Sequence, residues 1–347
     1  MITDYRALVL LTAVLLAACS DTSQPTSPSE SSLAPEKTPA ANGIIITLLP
    51  GLSANTSSAQ AVNDHGQIAG YSTTSGGAVH AVVWNSGLIV DLGPGQATDI
   101  NTSGEVVGFN ASRALLWTPT AGGGYSQAQD LGTLGGSSSD AQAINDGGQV
   151  TGASTIANGS AHAYLRSNGE MSDIHTISSG ESFPWGLNNL GHVVGQWNGT
   201  PNQSFLWTPE NGMQILPTLG GSRGVALDIN DDGQVVGWSE PALDQADEAF
   251  IYENAAIRRL GTLGGAGSVA IAINASGMAV GRASIGGRRG VEHAFYWTAT
   301  AGMKDIGLPK GTSSAVAWDV NSAGLIVGET ARSSGKTRAT TWRLPAP

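Results

Sequence analysis

Seven copies of one short pattern recur along the chain at intervals of 38, 44, 43, 42, 44 and 47 residues, and few folds are open to a chain built this way. Each copy reads apolar residue, Asn, two variable residues, Gly, a variable residue, two mostly apolar residues, Gly. The asparagines are Asn63, Asn101, Asn145, Asn188, Asn230, Asn274 and Asn321. A glycine follows each at the third position (Gly66 in the first copy) and again at the seventh (Gly70 in the first copy). A period in the low forties built from short strands predicts a β-propeller.

One copy shows how the strands fall. In the fifth, Ala226 to Ile229 reads as a strand, Asn230-Asp-Asp-Gly233 as a turn and Gln234 to Trp238 as a second strand. Ala249 to Tyr252 and Ile257 to Leu260 follow as a third and a fourth, and a glycine-rich loop leads to the next copy. Four short strands with turn signals between them make one blade. Asn favours the first position of a type I turn, where its side chain bonds backbone two residues on. The first glycine suits the left-handed conformation that closes such a hairpin. The second marks a bulge or a close backbone approach. The conserved-looking turns thus have a structural cause and need no ligand.

The third strand ends in Trp84, Trp117, Trp207, Trp297 and Trp342, with Arg166 and Tyr252 in the other two copies. A buried Trp hides roughly 150–250 Å², worth several kcal/mol before entropy at ~25 cal/mol per Å², so this aromatic reads as packing. The seventh copy stops after its third strand, Ala339 to Leu344. Ile44 to Leu49, ahead of the first copy, has the fourth-strand pattern. The expected fold is therefore all-β: a seven-bladed propeller of four-stranded blades over residues 44–347, its last blade closed by an N-terminal strand, which removes an open sheet edge.

The first 43 residues read differently. Residues 1–18 carry an apolar run, Ala7 to Ala18, too short to span a membrane as a helix and suited to a secretory signal. Leu16-Ala17-Ala18-Cys19 resembles the lipobox of bacterial lipoproteins, in which the cysteine is lipidated and becomes N-terminal. Cys19 is the single cysteine of the chain, which leaves no internal disulfide and no thiolate cluster. Ser20 after it resembles the outer-membrane sorting signal of such proteins. Residues 19–43, rich in Ser, Thr, Pro and Ala, read as a lipidated cysteine and a flexible tether. The resemblance implies an exported protein held at the outer membrane, on its periplasmic or its outer side.

His293-Ala294-Phe295 on the third strand of the sixth copy is matched loosely by His80-Ala81-Val82, His162-Ala163-Tyr164 and Glu248-Ala249-Phe250. Asp-Leu-Gly-Thr-Leu-Gly-Gly stands at 130–136 and nearly recurs at 259–265. These motifs, over nearly all of residues 44–347, resemble the extracellular HAF-repeat family. That resemblance implies an exported, propeller-like protein and brings no catalytic residues with it.

Chemistry is sparse. His80, His162 and His293 fall on third strands of different copies, His65 in a first-to-second strand turn, His175 in a fourth-to-first strand loop and His192 at the start of a second strand, so no metal-ligand spacing emerges. There is no Gly-x-Ser-x-Gly elbow and no phosphate-binding loop. Asn230-Asp-Asp-Gly233 lacks the extended ligand spacing of a calcium loop. No metal or cofactor is expected. Asp99, Asp228 and Asp319 share one position, two residues before the Asn, on the strands nearest the axis. They line the channel or bond neighbouring backbone; buried acids are usually hydrogen-bonded, which favours the second.

The net charge of −11 is unevenly spread: residues 20–257 hold 22 acids and 4 bases, residues 258–347 hold 4 acids and 11 bases. Arg282, Arg288 and Arg289 read as the loop after the second strand of the sixth copy, Arg332 and Lys336 as that of the seventh, with Arg338 opening the next strand. Adjacent blades would gather these six on one rim, suited to an acidic polysaccharide, lipopolysaccharide phosphate or an acidic protein surface. Overall acidity and export argue against nucleic acid. The reading that follows is a non-enzymatic envelope lipoprotein presenting a propeller as a binding or scaffold module. The alternatives are a lyase-like enzyme acting on an anionic polymer and a structural surface protein without a dedicated ligand. Oligomeric state has no signature in the sequence.

Overall fold

The computed structural model describes residues 36–39, 43–242, 245–287 and 291–345. They form seven antiparallel sheets arranged as the blades of a closed propeller, as the repeat predicts. Blade 1 spans residues 57–94, blade 2 96–130, blade 3 135–173, blade 4 182–215, blade 5 224–261 and blade 6 264–305. Blade 7 takes three strands, Ser314–Val320, Leu325–Ala331 and Thr337–Arg343, from the C-terminal end. Its fourth is Ile45–Leu48, paired with Thr340 to Arg343, and a fifth, Glu36–Pro39, pairs outside that. The sheet therefore reaches into the segment expected to be tether, beginning eight residues before the boundary at 44.

The core lies between blades rather than within one. Val83 and Val90 of blade 1 pack with Val106 and Trp117 of blade 2, and Val280 and Ile306 of blade 6 with Ile326, Trp342 and Ile46 of blade 7. The last joint is closed the same way: Val327 and Ala339 of blade 7 pack with Val82 and Trp84 of blade 1. Two of the third-strand indoles also bond across blades. Trp117 Nε1 donates to Leu92 O at 3.2 Å, and Trp84 Nε1 to Pro50 O at 2.7 Å. Trp207 is half-buried rather than buried.

Every first glycine of the repeat has a φ between +72° and +80° and closes its turn by donating to the Asn carbonyl, as Gly66 does to Asn63 at 2.9 Å. The second glycine has the cause expected of it, a close backbone approach beside a bulge. A Cβ on Gly237 would stand 2.0 Å from Val225 O, and one on Gly70 2.1 Å from Ser58 O. In six blades the register of the first strand slips opposite this glycine, as between Ala59 and Ala61 or between Ala226 and Asp228. A bulge sets two residues of one strand against one of its neighbour and disturbs the alternation of side chains. Here it turns two consecutive residues of each innermost strand toward the axis.

Candidate functional site

Those two positions build the wall of an axial cavity of about 570 Å³. They lie three and two residues before each repeat asparagine. At the first position, blades 1–3 contribute Gln60, Thr98 and Gln142, and blades 4–7 contribute Trp185, Leu227, Ile271 and Trp318. At the second, Asp99, Asp228 and Asp319 alternate with Ala61, Ala143, Gly186 and Ala272, and no two acids are neighbours. Further from the asparagine turns the wall includes Tyr71, Arg282, Glu292 and Glu329. Gly335, in the loop after the second strand of blade 7, and Thr56, ahead of the first strand of blade 1, also line it. The cavity therefore opens toward the face that carries the loops between second and third strands.

The aspartates both line the channel and bond backbone. Asp99 accepts from its own neighbour Ile100 N at 2.7 Å and from Ile144 N of blade 3 at 2.7 Å. Asp228 accepts from Ile229 N and from Ile273 N of blade 6, both at 2.8 Å. Asp319 accepts from Val320 N and from Val62 N of blade 1, both at 2.7 Å. Three carboxyls thus serve six of the seven amides that stand just before the asparagines. Burial pushes Asp99 up to about 7, Asp228 to about 6 and Asp319 to about 8; the backbone bonds oppose the rise, and in Asp99 and Asp319 the charge of the other acids adds to it. Burial also raises Glu329, against hydrogen bonds from Ser58 and Thr337.

Just below lies the asparagine ring. Each Nδ2 donates to the carbonyl of the next blade's asparagine: Asn63 to Asn101, Asn101 to Asn145 and Asn145 to Asn188, at 2.9, 3.2 and 3.0 Å. Asn188 to Asn230, Asn230 to Asn274 and Asn274 to Asn321 follow at 3.1, 3.1 and 3.0 Å, and Asn321 returns to Asn63 at 3.0 Å. Asn63 uses its full capacity: Oδ1 accepts from His65 N and Gln67 N, and Nδ2 donates also to Gln67 Oε1. The turn bond to the residue two positions on is the one anticipated from sequence; the inter-blade bond is not.

His162 and His175 stack with ring centroids 4.3 Å apart, and no group of three His, Cys, Asp or Glu among the described residues is placed to hold a metal. His80, His162 and His293 each hold an aspartate on the fourth strand through Nδ1: Asp91 at 2.9 Å, Asp173 at 2.7 Å and Asp305 at 2.7 Å. The Ala of the triplet is fully buried in these copies. In blade 3, Ala163 N donates to Ser182 Oγ of blade 4; Phe295 fills the core. The HAF triplet is thus scaffold.

The basic residues separate. Arg282 lies in the strand Ala279–Ile285 rather than in the loop after it; its side chain lines the cavity, is 15% exposed and is paired with Glu292. Arg338, half-buried in the third strand of blade 7, donates to Leu49 O at 3.3 Å and faces Glu36 at 3.9 Å, so it grips the N-terminal strands. Arg332 and Lys336 are exposed at the loop, Lys336 Nζ donating to Asn55 Oδ1 at 3.0 Å. Arg288, Arg289 and Cys19 lie outside the described residues. The wall residues three before the asparagine, and Tyr71, Glu292 and Glu329, had no place in the sequence reading.

No family model matches the chain, and no curated protein matches it. The likeness to HAF repeats therefore stands on its motifs. Among solved structures, the β-propeller domain of the Trilobed protease from Pyrococcus furiosus, described as having an open velcro topology, superposes with a TM-score of 0.55 at 11% identity, over 83% of this chain and 93% of that one. A puromycin hydrolase matches with a TM-score of 0.57 at 13% identity, over 83% of this chain and 54% of its own. A puromycin-hydrolyzing peptidase from Mycobacterium tuberculosis gives 0.52 at 13%, over 82% and 52%. The chain spans about half the length of those two enzymes. At these identities the likeness is one of fold, and function has to be argued from the site.

Proposed function

We propose that this protein is an exported, membrane-tethered binding module whose ligand enters the axial cavity from the face of the second-to-third strand loops. One observation carries the reading. Around a frame in which the asparagines and glycines are the same in all seven copies, the two positions turned into the cavity differ from copy to copy. A wall needed only for packing could repeat; this one presents amides, indoles, aliphatics and carboxyls at seven equivalent places. Ligand sites typically enclose about 300–1,000 Å³, mostly apolar with a few placed polar groups, and the cavity fits that description. Binding is favoured over turnover because, among the described residues of the wall, the three aspartates are taken up by backbone amides and Glu292 by Arg282. Export and tethering rest on residues 1–19 and their likeness to a lipoprotein signal.

A plug tests the reading. Ala143 faces the cavity from blade 3, beside Gln142, and Ala143→Phe fills space without removing a hydrogen bond. The expected result is that immobilised wild-type chain retains cell-envelope polysaccharide and the plugged chain, with an unchanged melting temperature, does not. Equal retention by both would remove the cavity from the function. Labelling of the wild-type chain but not Cys19→Ser by radioactive fatty acid checks the tether.

A further inference from the structure

Resting on that reading of the cavity, we propose that its ligand is an uncharged sugar, the terminal one or two rings of a glycan, lying against Trp185 and Trp318 and hydrogen-bonded from the opposite wall. The wall is divided in the way a pyranose is. The arc of blades 4–7 is apolar, with an indole at each end and Leu227 and Ile271 between them. The arc of blades 1–3 offers Gln60 and Gln142, whose amides donate and accept without charge, and Thr98, whose hydroxyl donates to Ala141 O and can accept. A sugar ring has C–H faces that suit an aromatic plane and a rim of hydroxyls that both donate and accept. Gln60 Nε2 already donates to Ser58 Oγ and Gln142 Nε2 to Asp140 Oδ1, so a purely apolar ligand would bury the remaining donor and acceptor capacity of these amides, at a desolvation cost for each.

The indoles supply the independent pointer to a ligand. Trp185 and Trp318 line the cavity, and the Nε1–H of each is buried without a hydrogen-bond partner. Buried indole N–H groups ordinarily find an acceptor. Trp84 and Trp117, on third strands, show the habit, donating to carbonyls across the blade joint; Trp342, packed in the core between blades 6 and 7, is an exception outside the cavity. A hydroxyl oxygen of a bound sugar supplies the missing acceptor and brings no charge with it.

Charge narrows the class further. Among the described residues, five carboxyls line the cavity, from Asp99, Asp228, Asp319, Glu292 and Glu329, with one guanidinium, that of Arg282, which is already paired with Glu292. A uronic acid, sialic acid or phosphate would find no unpaired cation among the described residues of this wall to offset its desolvation. The three aspartates are not poised for a cation, because each of their oxygens already accepts a backbone N–H. The exposed bases Arg332 and Lys336 stand outside the cavity, at the loop of blade 7. The anionic partner anticipated from the charge distribution thus fits the lip and not the interior.

The experiment is a glycan array probed with the full-length chain at pH 7, at low and high salt. It carries matched neutral, uronic-acid and amino-sugar termini. The best glycan is then titrated by tryptophan fluorescence against wild type, Trp318→Phe, Gln60→Ala and the lip variant Arg332→Ser with Lys336→Ser. Expected are retention on neutral termini that salt does not weaken, a fluorescence change on binding, and affinity weakened about tenfold or more in Trp318→Phe and in Gln60→Ala. The lip variant is expected to bind like wild type. Trp318→Phe keeps an aromatic face and loses the indole N–H with its five-membered ring, and correct folding is readily checked by its melting curve. Binding confined to acidic or amino-sugar termini, yet still sensitive to Trp318 and Gln60, would overturn the sugar class and leave the cavity as the site. Binding indifferent to both cavity variants, or no binding on any terminus, would overturn the cavity reading itself.

Discussion

The asparagine ring and the aspartate tier join neighbouring blades two residues apart on the same strands, and they do so with different chemistry. The ring is complete and neutral: seven amides, each donating to the next blade's carbonyl. The tier is partial and ionisable: three carboxyls, each accepting one amide from its own strand and one from the next blade. An amide has two donors and two acceptor sites, enough to close its own turn and still reach the neighbour. A carboxylate accepts only, so one can serve two amides and seven are not needed. The difference teaches why one position is fixed in every copy and the other is free to vary. Where every copy must donate, only Asn will do; where two copies can share one acceptor, alternate copies are released to small residues, and the space they leave becomes the cavity.

Both tiers depend on the bulge, so the change expected to hurt most is at the glycine that permits it. In Gly237→Ala the new Cβ would stand 2.0 Å from Val225 O, a backbone clash that cannot be relieved by a side chain turning away. Destabilisation of about 3 kcal/mol or more is expected in urea titration. Gly233→Ala in the same copy has nothing within 4 Å and pays only for its φ of +75°, about 1 kcal/mol. Equal costs at the two sites would mean the bulge is not what the second glycine is for.

The next largest effect separates the tiers directly. Asn145 accepts from Gln149 N, donates to Gln149 Oε1 at 2.8 Å and donates to Asn188 O at 3.0 Å. Asn145→Ala strands buried partners at each of these, at a cost of about 2–4 kcal/mol. Asn145→Asp keeps the acceptor and loses both donors, so it is expected to recover only part of the loss. Full recovery would show that the turn, and not the inter-blade bond, is the position's purpose.

The aspartate tier is distinguished by pH. Its carboxyls titrate at about 7, 6 and 8, against 3.8 for an ordinary Asp. The folded state therefore holds protons that the unfolded state has released, so this contribution is fully present below about pH 4 and is lost as pH rises through about 8. Melting temperature is expected to fall between pH 5 and pH 8 on account of these groups. The variant with Asp99→Ala, Asp228→Ala and Asp319→Ala, whose new side chains match those at Ala61, Ala143 and Ala272, is expected to show a flatter profile over that range. An unchanged slope would show that the three acids titrate alike in both states.

Much of this architecture was legible because it repeats. The blade count, the turns, the left-handed glycines and the closing role of Ile44 to Leu49 follow from spacing and turn chemistry. The cavity wall was less so. A strand is read with side chains alternating between faces, and under that rule Gln60 and Ala61 cannot both face the axis; the bulge that makes them do so is visible only in the register. The six bases looked like one rim because loop and strand were divided by sequence alone. Arg282 is within the second strand, and its length carries the guanidinium to Glu292 inside the cavity. Residues two positions from an invariant Asn were legible as a set of acids; that they share six amides depends on neighbouring blades more than 40 residues apart in sequence.

The smallest effect concerns the His of the HAF triplet, where the repeat has performed its own substitution. In blade 1 the pair across the third and fourth strands is His80 with Asp91, and in blade 5 the same places hold Glu248 and Arg259 at 3.3 Å, with the acid and base exchanged. A site that tolerates reversal is selected for complementarity and not for imidazole chemistry. His80→Glu alone sets two acids against each other and is expected to cost about 0.5–1 kcal/mol. His80→Glu combined with Asp91→Arg is expected to return most of that, giving a coupling energy of the same size in a double-mutant cycle. Asp91 Oδ1 also accepts from Gly93 N at 2.8 Å, so the recovery falls short of wild type by the value of that bond, about 1 kcal/mol or less. Failure of the exchange to restore any stability would mark the histidine as needed for more than its charge.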